Sequence, residues 1–149
     1  MQNNNPAKTF LRQYRGLVIR CNALRRSIRE AEEQATDVSV HLKPVSVQTS
    51  SSGDALLNSV IRVVEGTELL NAEMRRCEKA LEDVLAAIRS VPDETQRAVL
   101  TMRYVEGLGW ADIQEESHYE RTQTLVIHGR ALNAVNQWPK LRTKTDYDI

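Results

Sequence analysis

The chain of 149 residues has room for one domain or two small helical ones. With 41% hydrophobic and 27% charged residues, extensive disorder is excluded, and a net charge of zero argues against high-affinity DNA binding driven by charge alone. One Phe, two Trp and four Tyr beside abundant Ala, Leu, Glu, Arg and Gln favour helices over sheet, so the predicted class is all-α.

The first predicted helix carries Phe10, Tyr14, Leu17, Cys21, Leu24, Ile28, Ala31 and Ala35, apolar positions alternating at spacings of four and three. The second carries Leu56, Val60, Val63, Thr67, Leu70, Met74, Cys77, Leu81, Val84 and Ile88 in the same manner. Each run covers four or more heptads, the pattern of a coiled-coil seam, over helices of about 45 and 50 Å. Neither helix can bury its stripe alone. The simplest arrangement is a long antiparallel, coiled-coil-like hairpin over residues 1–90; seams that pair between chains to give a homodimer are the alternative. A loop is predicted at about 37–53, where Pro44 blocks a continuous helix and the run Gln48-Thr49-Ser50-Ser51-Ser52-Gly53 suits a flexible connection or N-cap entry. Gly66 either weakens the second helix by roughly 1 kcal/mol relative to Ala or permits close helix contact.

A break is predicted at Ser90-Val91-Pro92-Asp93, with Ser90 and Asp93 approximating a capping box and Pro92 opening a new helix. Beyond it, residues 91–137 read as three helices. Val99, Leu100, Tyr104 and Val105 line the first, which stops at Gly107; the second starts at Trp110 and turns Trp110 and Ile113 inward. After a turn near Ser117-His118, Thr124, Ile127, His128, Ala131, Leu132 and Val135 place one buried stripe on the third. A short helix, a turn and a longer helix with its other face free is the geometry of a helix-turn-helix that lays a recognition helix in a major groove. Residues 138–149, charged and interrupted by Pro139, are predicted to form a flexible tail.

The stretches Val91-Pro92, Val99-Leu100-Thr101-Met102-Arg103-Tyr104, Glu106-Gly107-Leu108-Gly109-Trp110-Ala111-Asp112-Ile113 and Arg130-Ala131-Leu132 resemble, without a gap, region 4 of bacterial sigma factors, which reads promoter DNA. The resemblance covers about the last third of the chain. The His-Tyr turn and the Ile-His-Gly-Arg-Ala-Leu ending are similar to small sigma-like proteins of phages and prophages, which are thought to regulate late transcription. The resemblance implies that Arg103, Gly109, Trp110 and Arg130 touch the DNA backbone and that Arg121, Thr122, Leu125 and Val126 face the groove, with Gln123 beside them. Arg121 suits a bidentate pairing with a guanine edge, and Thr122 donation to a phosphate or base. Leu125 and Val126 depart from the family, which places polar or basic residues there: they either meet thymine methyl groups or pack on a protein surface.

Charge is uneven. Residues 1–36 are basic through Lys8, Arg12, Arg15, Arg20, Arg25, Arg26 and Arg29, whereas residues 91–149 are slightly acidic. Phosphate neutralisation supplies most nonspecific DNA affinity, so residues 91–149 alone should bind weakly; either the basic first helix helps or a partner such as RNA polymerase supplies the rest. Arg20, Arg25, Arg26 and Arg29 read first as a solvated helix face, with phosphate contact as the alternative.

Other features have plainer explanations. Cys21 and Cys77 fall on seam positions as small apolar residues. His118 fits a turn, His128 the core edge and His41 the loop, none at ligand spacing, so no metal and no cofactor are expected. Glu115-Glu116 reads as a solvated face, and no nucleophile elbow or phosphate loop is present, so an enzyme is the least supported class. No run spans a bilayer and Met1–Phe10 lacks a signal-peptide pattern, so the predicted setting is the cytoplasm of a bacterial host. The function expected is a sequence-specific, sigma-like transcription regulator of phage type that binds double-stranded DNA. Alternatives are a small-terminase-like DNA-packaging subunit and a polymerase-binding adaptor.

Overall fold

The computed structural model describes residues 5–41 and 50–141, all of whose regular structure is helical. Helices α1 (Pro6–His41) and α2 (Ser50–Arg89) pack against each other as a hairpin, and a small helical domain follows. That domain comprises α3 (Glu94–Leu100), which runs into a π turn at Thr101–Val105, then α4 (Trp110–Ser117) and α5 (Arg121–Asn136). The predicted all-α class and hairpin architecture are thus observed. Both hairpin helices reach further into the connection than the predicted loop of 37–53, because nothing before Pro44 bars α1 from continuing to His41. Pro44 itself lies outside the described residues.

The chain divides into two compact units, Leu17–Arg76 and a second one that joins Met1–Gly16 to Cys77–Ile149. A boundary near residue 90 is the natural reading of the break after α2, but the core of the second unit crosses it: Ala7 and Leu11 of α1, and Val84, Ala87 and Ile88 of α2, are buried in one cluster with Val91, Leu100, Tyr104, Ala131, Leu132, Val135 and Leu141. Helix α5 has more apolar stripe than α3 and α4 can cover, and the opening turns of α1 and closing turns of α2 supply the missing wall.

In the Leu17–Arg76 unit the inward face of α1 is the predicted one, with Cys21 and Ala31 buried and Leu17, Leu24, Ile28 and Ala35 half-buried. On α2 every second position of the predicted seam is displaced by one residue. Val60, Thr67 and Met74 are exposed; Ser59 and Glu73 are buried in their place, and Gly66 is half-buried. At Ser59 and Gly66 small size outweighs apolarity because α1 passes close by: a Cβ at Gly66 would stand 2.9 Å from Ile28 Cγ1. Glu73, 7% exposed, pairs with Arg76 at 3.0 Å and Arg20 at 3.6 Å.

In the other unit, α2 ends where Ser90 Oγ donates to Ala87 O at 2.6 Å, and Arg97 Nη1 bridges the break by donating to the carbonyls of Val91 and Pro92. Asp93 rather than Ser90 caps α3, accepting from Gln96 N at 2.8 Å, which leaves Pro92 just outside the helix. The tail prediction fails at its start. Trp138 packs edge-on against Phe10 with ring centroids 5.8 Å apart, and Leu141 is buried, because residues 139–141 form a further helical turn that returns Leu141 to the side of Trp138. Residues 142–149 lie outside the described part.

Candidate nucleic-acid interface

Four local devices place α5. Glu106 N donates to Thr101 O at 3.0 Å, the wider spacing of a π turn, and Gly107 then takes φ 77°, which ends the helical run. Gly109 caps α4 with an extended backbone. At the end of α4, His118 adopts φ 58°, a left-handed conformation that lets the chain reverse, so its turn role is the one expected. Glu120 opens α5 with a reciprocal cap: its side chain accepts from the Gln123 backbone, and Gln123 Oε1 accepts from Glu120 N at 3.3 Å.

One face of α5 is buried through Thr124, His128, Ala131, Leu132 and Val135, with Ile127 half-buried. Arg121, Thr122, Leu125 and Val126, the four residues the resemblance assigns to the groove, are all exposed. Thr122 and Val126 lie opposite the buried stripe, whereas Arg121, three residues before Thr124, stands on the stripe's own side and is open because it begins the helix. Leu125 and Val126 are 40% and 46% exposed. Gln123 is exposed as well, but its amide oxygen is already used by the cap, which leaves its NH₂ group as the free part. Gly129 continues the open face without a side chain, and nothing lies within 4 Å of a Cβ built there.

The predicted backbone-contact residues fall on two flanks. Arg130 is exposed and, with Tyr119, Thr122, Gln123, Val126 and Ile127, lines a shallow concavity of about 290 Å³. Tyr119 was not anticipated; its position two residues before α5 gives no periodic signal. On the other flank Trp110 is half-buried at the start of α4, its ring edge-on to His128 at 4.8 Å. The Arg103 guanidinium lies 4.6 Å over the same indole and donates to Leu108 O at 3.0 Å, so it is held by two contacts. Gly109 is exposed between them in sequence. Both arginines remain chemically able to meet phosphate oxygens, and Trp110 positions one of them.

Behind Trp110, Tyr104 Oη and His128 Nε2 share a hydrogen bond of 2.8 Å in the core. Burial, followed by the nearby charges of Lys8, Arg103 and Arg12, lowers the His128 pKa to about 4, so its imidazole is neutral at pH 7. Burial likewise raises the Tyr104 phenol above its ordinary value, despite the opposing charges of Arg12 and Arg103. The pair is thus a neutral core hydrogen bond. Among the described residues no group of three or more His, Cys, Asp or Glu side chains is arranged to hold a metal ion, and no helix is long and apolar enough to cross a membrane. The chain matches no family model, no curated protein and no solved structure.

Proposed function

We propose that this protein is a sequence-specific DNA-binding transcription regulator of phage or prophage type, with a helix-turn-helix like region 4 of sigma factors. The observation that carries the reading is the exposed first turn of α5, where Arg121 and Thr122 are open to solvent on a helix anchored further along by Thr124, His128, Ala131, Leu132 and Val135. Arg121, Thr122 and the Gln123 amide then read base edges in the major groove, Leu125 and Val126 meet thymine methyl groups, and Arg103, Gly109, Trp110 and Arg130 fix the motif on the backbone. In this reading the hairpin supplies the contact with a second copy or with RNA polymerase, in the cytoplasm of a bacterial host, and no catalysis is required.

Capture of sheared DNA from the source genome at two salt concentrations tests it: one or a few short sites should be enriched and persist at the higher salt. Arg121→Glu should abolish that enrichment while leaving the unfolding midpoint unchanged, and full enrichment by this variant would overturn the assignment of Arg121. The exposure of Leu125 and Val126 beside the Tyr119–Arg130 concavity favours one second reading, an adaptor that docks on RNA polymerase through α5. Its mark is polymerase binding with no DNA binding at any salt.

A further inference from the structure

Resting on the DNA-binding reading, we propose that the opening turns of α1 belong to the DNA-contact surface, with Lys8 and Arg12 as phosphate-binding residues beside Arg103. Three observations carry this. The first is anchorage. Ala7 and Leu11 are fully buried in the core shared with α5, and the start of α1 is tied to its end: Ala7 N donates to Asn136 Oδ1 at 3.0 Å and Asn136 Nδ2 donates to Asn5 Oδ1 at 3.2 Å. These turns are therefore a fixed part of the helix-turn-helix body.

The second is register. Lys8, Arg12 and Arg15 follow at i, i+4 and i+7 and form one stripe beside the buried Ala7 and Leu11. The Arg15 guanidinium occupies the space a side chain at Gly107 would need, within 2.5–2.7 Å of a Cβ built there. Arg15 is thus a positioning residue that holds the stripe against the loop entering α4. That loop also carries Leu108, whose carbonyl fixes Arg103.

The third is unbalanced charge. Lys8, Arg12 and Arg103 all raise the positive potential at one core residue, His128, and none forms an ion pair with a carboxylate among the described residues. Like charges gathered on one flank without a counter-charge repel one another, and a polyanion crossing that flank relieves the repulsion while releasing its own counterions. Residues 1–16 contribute Lys8, Arg12 and Arg15 without one acidic residue. The acidic balance of residues 91–149 is thereby offset from outside the motif, which accounts for how an acidic helix-turn-helix could hold DNA.

The test is binding of the full chain to a random-sequence duplex of about 30 base pairs as a function of salt, since phosphate contacts are sequence-independent. Lys8→Gln/Arg12→Gln should weaken binding about tenfold or more at low salt and reduce the slope of log K against log salt by about 2. Arg25→Gln/Arg26→Gln, an equal charge change in the Leu17–Arg76 unit, should leave the slope unchanged. An unchanged slope in the Lys8/Arg12 variant, or the same drop in both variants, overturns the inference and leaves the proposed function standing. No binding by the wild type at about 50 mM salt overturns both, because sequence-specific binders also hold random DNA at low salt. Should the double variant unfold, Lys8→Gln alone, with an expected slope change of about 1, decides the matter.

Discussion

The two compact units solve the burial problem differently. Around α5, side chains as large as Leu11, Leu100 and Ile113 are wholly excluded from water. In the Leu17–Arg76 hairpin the buried set is Cys21, Ala31, Ser59 and Glu73, while Ile19, Leu57, Val60, Ile61, Val64 and Leu69 are between 42% and 64% exposed. Two helices can bury only the strip between them, whereas five elements converging on one helix close a core. Apolar burial near 25 cal/mol per Å² therefore stabilises the helix-turn-helix body far more than the hairpin. The difference teaches that the residues proposed to bind DNA are set on the unit with the closed core, and that the hairpin leaves more apolar surface exposed among the described residues.

The most severe way to break this contrast is Leu11→Ala. If α1 begins inside the helix-turn-helix core, this change should cost about 2–5 kcal/mol in denaturant unfolding, as for a central core leucine. A loss below about 1 kcal/mol would assign the opening of α1 to the hairpin instead. The next effect is pH-dependent and belongs to the core unit alone. The folded-state pKa of His128, about 4, is below the 6.5 of an unfolded histidine. Its stability contribution is accordingly complete above pH 6.5 and lost as pH falls towards 4, by up to about 1.4 kcal/mol per pH unit. Thermal unfolding of the wild type should decline across that window and that of His128→Gln should decline less; identical profiles would count against a buried neutral histidine. The smallest effect sharpens the hairpin side. Gly66→Ala gains roughly 1 kcal/mol of helix propensity but forces a Cβ into Ile28, so the variant should be no more stable than wild type. Combining it with Ile28→Ala should reveal the withheld gain as a favourable coupling, and a plain gain in the single variant would mean that the helices are not in close contact there.

Much of this was legible in the residues. The α1 row from Phe10 to Ala35 follows apolar spacing, and all eight members are buried or half-buried. The α4–turn–α5 geometry was legible for a similar reason: period, turn chemistry at His118 and the stop at Gly107 agree. The α2 row was half legible. Apolarity selects Val60 and Met74, while the close approach of α1 selects Ser59 and Gly66 and ion pairs with Arg20 and Arg76 accompany Glu73, and only the partner helix reveals how near it comes. Long-range assembly was the hidden part: nothing local announces that Ala7 and Leu11 meet Val135, or that Trp138 and Leu141 complete a core after Pro139. The Lys8–Arg12 stripe was hidden with it, since a basic helix face acquires meaning only from what it stands beside.

Glu73 has a consequence for how the hairpin is aligned. Its Oε1 is paired with Arg20 and Arg76, while Oε2 is buried without a hydrogen-bond partner. Heptad seams are nearly periodic, so sliding one helix past the other by seven residues restores most of the apolar matches. It does not restore this one: the residue seven positions from Arg20 is Ser27 in one direction and Gln13 in the other. A slipped hairpin would leave the carboxylate in the seam with no arginine from across it. The least favourable side chain in the strip is thus the one that distinguishes the correct alignment from its near-copies, acting as a vernier mark on an otherwise repetitive scale.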